Sequence, residues 1–437
     1  MRLPRARTPE SSPAHVGRRP HLHLGRLRHR PRAGSLAIFA AVVGPGVLAG
    51  LSDDDPAGIT TYSILGAKYG YQLLWVLALS TAALIVFHEL GARMGMVTGK
   101  GLARLVRERY GSRATAVALS ALLVANLGTT CAEFAGIAAG MDLLTGLSRY
   151  ISVPVAAVAI AVLVVRGSFR RIEHVLLALT AVFVAYFAAG FLARPDWGAT
   201  AQGLFVPTTP LTRDAALVAV ATLGTTLAPW GLAFIQSYTA DKRLPIEDLR
   251  YERVDVVLGA AMTGIIGLFI VIACAATLHV SGVEIKDARD AAEALRPLAG
   301  SVTTQLFGVG FVGAAILAAA VVPLSTAYSA AEAFERPADL DDSLRDAPFF
   351  YSAYGLVMVC AVAIVLIPGA PLVPILFLSQ ALNAVLLLLV LPFLRALGRD
   401  PEVMGEHRLS GLDSWLTAAA LALVAVSVAA LALLTVL

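Results

Sequence analysis

Apolar runs of membrane-spanning length recur along the whole chain of 437 residues, and short polar connections separate them. An α-helix needs about 20 predominantly apolar residues to cross a bilayer. The pattern therefore predicts an all-α polytopic membrane protein. We predict eleven segments, at 36–67, 73–97, 114–146, 151–165, 172–193, 213–240, 254–281, 301–333, 349–368, 372–397 and 413–436.

Two of these segments are interrupted near the middle by the same short pattern. The first reads SDDDPAGI at residues 52–59, and the second reads TLGTTLAPWGLAFIQ at residues 222–236. Pro56 and Pro229 each remove a backbone donor and block helix continuation, and the glycine two residues later adds backbone freedom. Each pattern predicts a helix that unwinds at mid-membrane, with a plain proline kink as the simpler alternative.

The two interruptions stand at corresponding places, at the start of two halves of five segments each. Unwound backbone at this depth is tolerated only where it lines a cavity enclosed by protein. Matching breaks are typical of transporters built from inverted repeats. We predict repeat 1 in residues 33–209, repeat 2 in residues 210–398 and an extra helix in residues 399–437. We expect the binding site where the two breaks meet.

Composition supports a membrane location. Charged residues make up 15% of the chain, below the roughly 25% of soluble domains, and the mean hydropathy is +0.76. Residues 1–32 differ, with nine arginines and the single acid Glu10. They predict a disordered basic tail on the cytoplasmic side. The net charge of +4 therefore indicates membrane orientation and not a nucleic-acid partner.

Lys and Arg residues between the segments predict the orientation, because cytoplasmic loops carry an excess of both. With the tail inside, three inside connections are rich in them, whereas the outside loop near 147–150 has only Arg149. The pattern predicts a multi-pass plasma-membrane protein with a cytoplasmic N-terminus and an extracytoplasmic C-terminus. The basic residues of the inside connections are Lys100, Arg104, Arg107, Arg109, Arg113, Arg166, Arg170, Arg171, Lys242, Arg243, Arg250 and Arg253.

The first break carries three adjacent carboxylates. An ionised aspartate at the bilayer centre costs at least ~2.5 kcal/mol, so a cation or a water-filled cavity must compensate it. Carbonyl oxygens of the unwound backbone near Ser52 and Thr225 would add neutral ligands, and such oxygens suit a hard divalent cation. The side chains of four residues could contribute through waters or serve packing alone: Thr225, Thr226, Gln380 and Asn383.

The stretches GPGVLAGLSDDDPAG, at 44–58, and GYQLLWVLALSTAALIVFHELGARMGMVTGKGLARLVRERYG, at 70–111, resemble the first two helices of the Nramp family of divalent-metal transporters. The resemblance extends over all eleven segments. It implies the LeuT-like fold of five plus five helices with an eleventh added. It also implies that the family's first aspartate ligand is Asp55.

The chain departs from the family pattern at most other functional positions. The family's D-P-G-N and M-P-H motifs place ligands at Gly58 and Ala228 and a proton-coupling histidine at Trp230, and a second histidine corresponds to Ile235. In the third segment, TTCAEFAG has Thr130 where the family has its first acid and keeps Glu133 as the second. Apart from Asp55, the family's metal ligands are therefore replaced.

These departures change the chemistry in one direction. A methyl in place of a soft thioether removes a preference for transition metals. Two smaller residues also widen the site beside Asp55. Mg²⁺ keeps several waters and binds through one or two carboxylates, so we predict transport of largely hydrated Mg²⁺, with Mn²⁺ also accepted. Loss of the titratable groups predicts uptake without proton coupling.

Other residues near the breaks receive supporting roles. Asp53 and Asp54 attract the ion or bind its outer waters, or they cap the half-helix ends. Glu133 is a pathway acid or a buried structural acid, and Trp230 beside Gly231 lines the cavity or packs.

Three alternatives remain open. These are proton-coupled import of Mn²⁺ or Fe²⁺, an organic-solute symporter on the same fold, and an intramembrane metalloprotease, suggested faintly by HELGAR at 88–93, which lacks a second histidine. We predict no cofactor and no obligate protein partner.

Overall fold

The computed structural model describes residues 50, 52–166, 185–208, 210–243, 245–286, 288–293, 303–337 and 343–436. The basic tail of residues 1–32, the first half of the first broken segment and the start of the fifth segment lie outside these described residues. So do Arg170 and Arg171, parts of the connections at 282–300 and 335–348, and the repeat boundaries at residues 33 and 209.

The described residues are almost entirely helical, which confirms the predicted fold class. The helices are α1 (Pro56–Tyr69), α2 (Leu74–Thr98), α3 (Leu102–Thr145), α4 (Arg149–Val165), α5 (Ala185–Leu192), α6 (Trp197–Phe205), α7 (Arg213–Thr226), α8 (Pro229–Asp241), α9 (Leu249–Cys274), α10 (Ala288–Glu293), α11 (Thr303–Ala333), α12 (Pro348–Val365), α13 (Leu372–Arg399), α14 (Pro401–Met404) and α15 (Gly411–Val436).

Three connections differ from the prediction. The span Leu102–Thr145 is interrupted at Gly111, whose φ of 78° and ψ of −176° are not helical. A short helix from Leu102 therefore occupies the predicted connection, and the predicted third segment follows Gly111. α9 begins at Leu249 rather than near residue 254. The connection before the second broken segment contains α6, which the pattern did not indicate. Several basic residues assigned to inside loops, among them Arg104 and Arg250, therefore lie on helices.

Eight helical spans in the described part of the chain are long and apolar enough to cross a membrane. Their outer surfaces expose large apolar side chains, such as Val158 on α4 (65% exposed), Leu356 on α12 (65%) and Trp415 on α15 (77%). Such faces suit hydrocarbon rather than water. α15 is the most peripheral of these spans, since 11% of its most apolar stretch is buried.

α3 forms the centre of the packing around the broken helices. It packs against α11 and α13 along much of its length and also contacts α1 and α8. α9 lies against α1 and α2, and α8 lies against α2. The helices that follow the two breaks are therefore packed among longer neighbouring helices.

Backbone contact between α7 and α13 is especially close at Gly224. A Cβ on this residue would overlap the carbonyl oxygen of Gln380 and would lie 2.6 Å from the amide nitrogen of Ala384. Small residues allow membrane helices to approach in this way. The contact fixes the end of α7 that leads into the second break.

The start of α7 is tied to the end of α1. The Asp214 carboxylate pairs with the Lys68 ammonium at 2.6 Å and accepts a hydrogen bond from the Tyr69 hydroxyl. Both charged side chains are about half exposed, so the ion pair adds at most about 1 kcal/mol of stability. It links the two half-helices that lead away from the breaks on this side.

Candidate functional site

The first break lies at Asp54 and Asp55, where the backbone leaves the helical conformation. Asp55 is the N-cap of α1, with φ −78° and ψ 170°, and Pro56 is the first helical residue. The Asp55 Oδ1 accepts a hydrogen bond of 2.6 Å from the Gly58 amide. Because a carboxylate is favoured at a helix N-terminus, the local sequence fixes the direction of this side chain.

The second break separates α7 from α8. Leu227, with φ −116° and ψ 60°, and Ala228, with φ −69° and ψ 136°, stand between the helices. Pro229 begins α8, and Ala228 provides no side-chain cap. Both predicted interruptions are therefore true breaks and not kinks, which excludes the simpler alternative.

The two breaks meet around Gly58. Three oxygen atoms surround the position that a Cβ on this residue would take: the Asp53 carbonyl oxygen at 2.8 Å, the Thr225 Oγ1 at 3.2 Å and the Asp55 Oδ1 at 3.3 Å. Two come from the first break and one from the end of α7. The absence of a side chain at Gly58 leaves room for their convergence.

The polar residues of the first break are buried without full hydrogen bonding. Ser52, Asp53, Asp54 and Asp55 are 1–4% exposed. The Ser52 hydroxyl and both carboxylate oxygens of Asp53 and of Asp54 have no hydrogen-bond partner. Buried carboxylates in this condition carry a large desolvation cost. Bound cations, protons or water must therefore accompany them.

Glu133 on α3 lies beside the first break. Its side chain is fully buried, and its carboxylate faces that of Asp55 without a well-formed hydrogen bond. α3 approaches closely here, because a Cβ on Gly136 would lie 2.5 Å from the Pro56 Cβ. The neighbouring Thr130 hydroxyl instead donates to the Asn126 carbonyl on its own helix, at 2.6 Å.

Other predicted oxygen ligands bond to groups of the protein. The Thr226 hydroxyl donates to the Thr222 carbonyl at 2.8 Å and lies 3.0 Å from the Tyr62 hydroxyl. The Asn383 amide donates to Gln380 Oε1 and to the Thr129 hydroxyl, both at 3.1 Å. These contacts connect α1 with α7 and α3 with α13.

The start of α8 carries Trp230 and Gly231. Trp230 is 1% exposed, packs near Phe234 at a ring distance of 6.3 Å, and its carbonyl accepts a hydrogen bond of 2.9 Å from Ser325. Gly231 faces a side chain that sequence reasoning did not place here, His88 of α2. The only signal for His88 was its place in HELGAR, where it was considered as part of a protease motif.

The candidate ligand set combines two oxygen atoms from the first break with one from the end of α7. In the part of the chain that the structure describes, no group of three or more His, Cys, Asp or Glu is arranged to hold a metal ion. The oxygen atoms around Gly58 comprise one carboxylate, one carbonyl and one hydroxyl. Oxygen donors of these kinds bind hard cations.

The fold is the one that solved membrane transporters of the LeuT-like class share. The proteins that the chain resembles in sequence are transporters and not enzymes. Residues 46–435 match the family model described as Natural resistance-associated macrophage protein-like, or Nramp. The chain belongs to this family, as the sequence resemblance predicted.

Two curated relatives and one solved structure show the extent of the similarity. The divalent metal cation transporter MntH of Burkholderia ambifaria is 32% identical over 300 residues, which cover 66% of this chain and 68% of the relative. MntH of Aeromonas hydrophila is 29% identical over 378 residues, which cover 84% and 89%. A mutant of the Eremococcus coleocola manganese transporter shares the fold, with a TM-score of 0.73 at 17% identity over 91% of this chain and 87% of that one.

Proposed function

We propose that this protein imports divalent metal cations by alternating access, that it favours largely hydrated Mg²⁺ and also accepts Mn²⁺, and that it works without proton coupling. The observation that carries the proposal is the convergence of three oxygen atoms around Gly58. The names of the relatives support the cation class, since the curated proteins are divalent metal cation transporters and the solved one is a manganese transporter.

The donor atoms favour Mg²⁺ over soft transition metals. Mg²⁺ binds oxygen, dehydrates reluctantly and commonly uses one or two carboxylates while keeping water. Ala228 presents a methyl group at the second break, where a thioether would favour softer ions. Gly58 and Ala228 add almost no side-chain volume beside Asp55, and oxygen atoms of Asp53, Thr225 and Asp55 occupy the space beside Gly58.

The energetics of uptake do not require a proton. A divalent ion that moves inward gains about 4.6 kcal/mol per 100 mV, at roughly 2.3 kcal/mol per charge. A proton relay requires titratable groups along the path. The apolar residues Trp230 and Ile235 occupy the positions at which the resemblance places histidines, and both are buried.

Purified protein in liposomes provides the test. With a negative inside potential, we expect Mg²⁺ influx that is faster than Cd²⁺ influx, Mn²⁺ influx at a measurable rate, and no acidification of the lumen that follows metal entry. A pH-sensitive dye inside the vesicles reports the last quantity. Acidification in proportion to metal entry would establish the second candidate, proton-coupled Mn²⁺ import, which the manganese transporter of similar fold favours.

Replacing Ala228 with methionine should shift selectivity. The thioether would face the oxygen atoms at the breaks and would supply a soft ligand, so we expect the ratio of Cd²⁺ to Mg²⁺ influx to rise about tenfold. Ala116→Met, on the exposed surface of α3, is the matched control and should leave the ratio unchanged. An unaltered ratio in Ala228→Met would mean that position 228 does not face the ion.

A further inference from the structure

His88 is a buried polar side chain that the proposed function does not use. It lies in α2, is fully buried, and neither of its ring nitrogens has a hydrogen-bond partner. An imidazole removed from water without partners loses its hydration without compensation. The side chain is therefore placed where a ligand can complete its bonding.

The imidazole and the Asp53 carboxylate face the same point. A Cβ on Gly231 would lie 3.3 Å from His88 Nε2 and 3.5 Å from Asp53 Oδ1. The two atoms are thus close enough for one hydrated ion to contact both. Both Asp53 carboxylate oxygens also lack hydrogen-bond partners. One nitrogen donor and one carboxylate, from different helices, converge beside a residue without a side chain.

The His88 and Asp53 side chains meet beside Gly231, after the second break, whereas the oxygen atoms around Gly58, which include the Asp53 main-chain carbonyl, meet Thr225 before that break. Asp53 precedes the first break and Gly231 follows the second, whereas Gly58 follows the first and Thr225 precedes the second. In an inverted repeat these pairs of half-helices lead to opposite membrane faces. With the predicted orientation, the group formed by His88 and Asp53 faces the cytoplasm.

We propose that His88 and Asp53 form a second cation station on the cytoplasmic side of Asp55, one that discriminates against borderline transition metals during Mg²⁺ uptake. This inference rests on the proposed function. Imidazole nitrogen binds Ni²⁺ and Co²⁺ well, in the order of increasing affinity along the first transition row. Mg²⁺ prefers oxygen ligands and keeps its waters, so it binds His88 only weakly as it passes Asp53. Ni²⁺ and Co²⁺ stay bound and block the exit.

Inhibition of Mg²⁺ influx by Ni²⁺ in liposomes tests the station. We expect His88→Gln to raise the Ni²⁺ inhibition constant, relative to the Mg²⁺ half-saturation concentration, by about tenfold or more. His407→Gln is the matched control, because His407 is exposed in the connection before α15, and it should match the wild type. Equal ratios in His88→Gln and wild type would overturn the inference.

A binding measurement covers the case of a variant that does not transport. Pulsed electron paramagnetic resonance of Mn²⁺ added to purified protein should show nitrogen hyperfine modulation in the wild type and in His407→Gln. We expect its loss in His88→Gln. Absence in the wild type, or persistence in His88→Gln, would refute the station. Lack of wild-type Mg²⁺ influx would instead refute the proposed function, whether or not the nitrogen signal appears.

Discussion

We expect Asp55→Asn to reduce Mg²⁺ influx about a hundredfold or more. The substitution removes the charge of the carboxylate that supplies one of the three oxygen atoms around Gly58. Asparagine keeps the size of the side chain and an oxygen that can accept the 2.6 Å hydrogen bond from the Gly58 amide. The helix cap is thus preserved. Loss of influx with unchanged thermal stability would separate ion binding from folding.

Asp142→Asn is the matched control for this experiment. Asp142 lies near the end of α3 with an exposed side chain, so its charge is solvated and its removal should leave influx near the wild-type rate. Influx of Mg²⁺ and internal pH should be recorded in the same vesicles. Near-normal influx in Asp55→Asn would remove this carboxylate from the mechanism.

Gly224→Ala should destabilise the protein and disable transport together. The added methyl would overlap the Gln380 carbonyl across the contact between α7 and α13, and neither backbone can withdraw without displacing its helix. Overpacking of this kind costs about 1–3 kcal/mol or more. We expect a clearly lower melting temperature in detergent and loss of influx, since α7 delivers Thr225 to the second break.

The same substitution at Gly355 isolates the packing effect. Gly355 is also inside a helix, α12, but no atom lies within 4 Å of the place where its Cβ would stand. Both changes improve helix propensity by a similar amount. Gly355→Ala should therefore keep or raise the melting temperature. Equal melting temperatures in the two variants would contradict the close contact at Gly224.

The breaks were predictable because their causes are local. Pro56 and Pro229 lack a backbone donor, and each stands inside an apolar run too long to be a loop. The same local chemistry placed Asp55 at a helix N-terminus. Asp53 and Asp54 were correctly expected near the break, but the sequence could not show that their carboxylates lack hydrogen-bond partners.

What could not be predicted depends on contacts between distant residues. His88 looks like any polar residue on an apolar helix until α2 is packed against α8. The bonds of Asn383 to Thr129 and of Thr226 to Tyr62 join residues far apart in the chain. The short helix that begins at Leu102 was missed because it lies in the polar connection before the third segment, where the apolar pattern gives no signal. The membrane orientation and the repeat boundaries stay predictions.

One of the three oxygen atoms around Gly58 is the main-chain carbonyl of Asp53. No exchange of side chains can delete it, so part of the coordination survives every point mutation that preserves the break. Metal choice can therefore be retuned by one or two substitutions while the remaining scaffold is kept. Such a chain is a practical starting material for engineered ion selectivity.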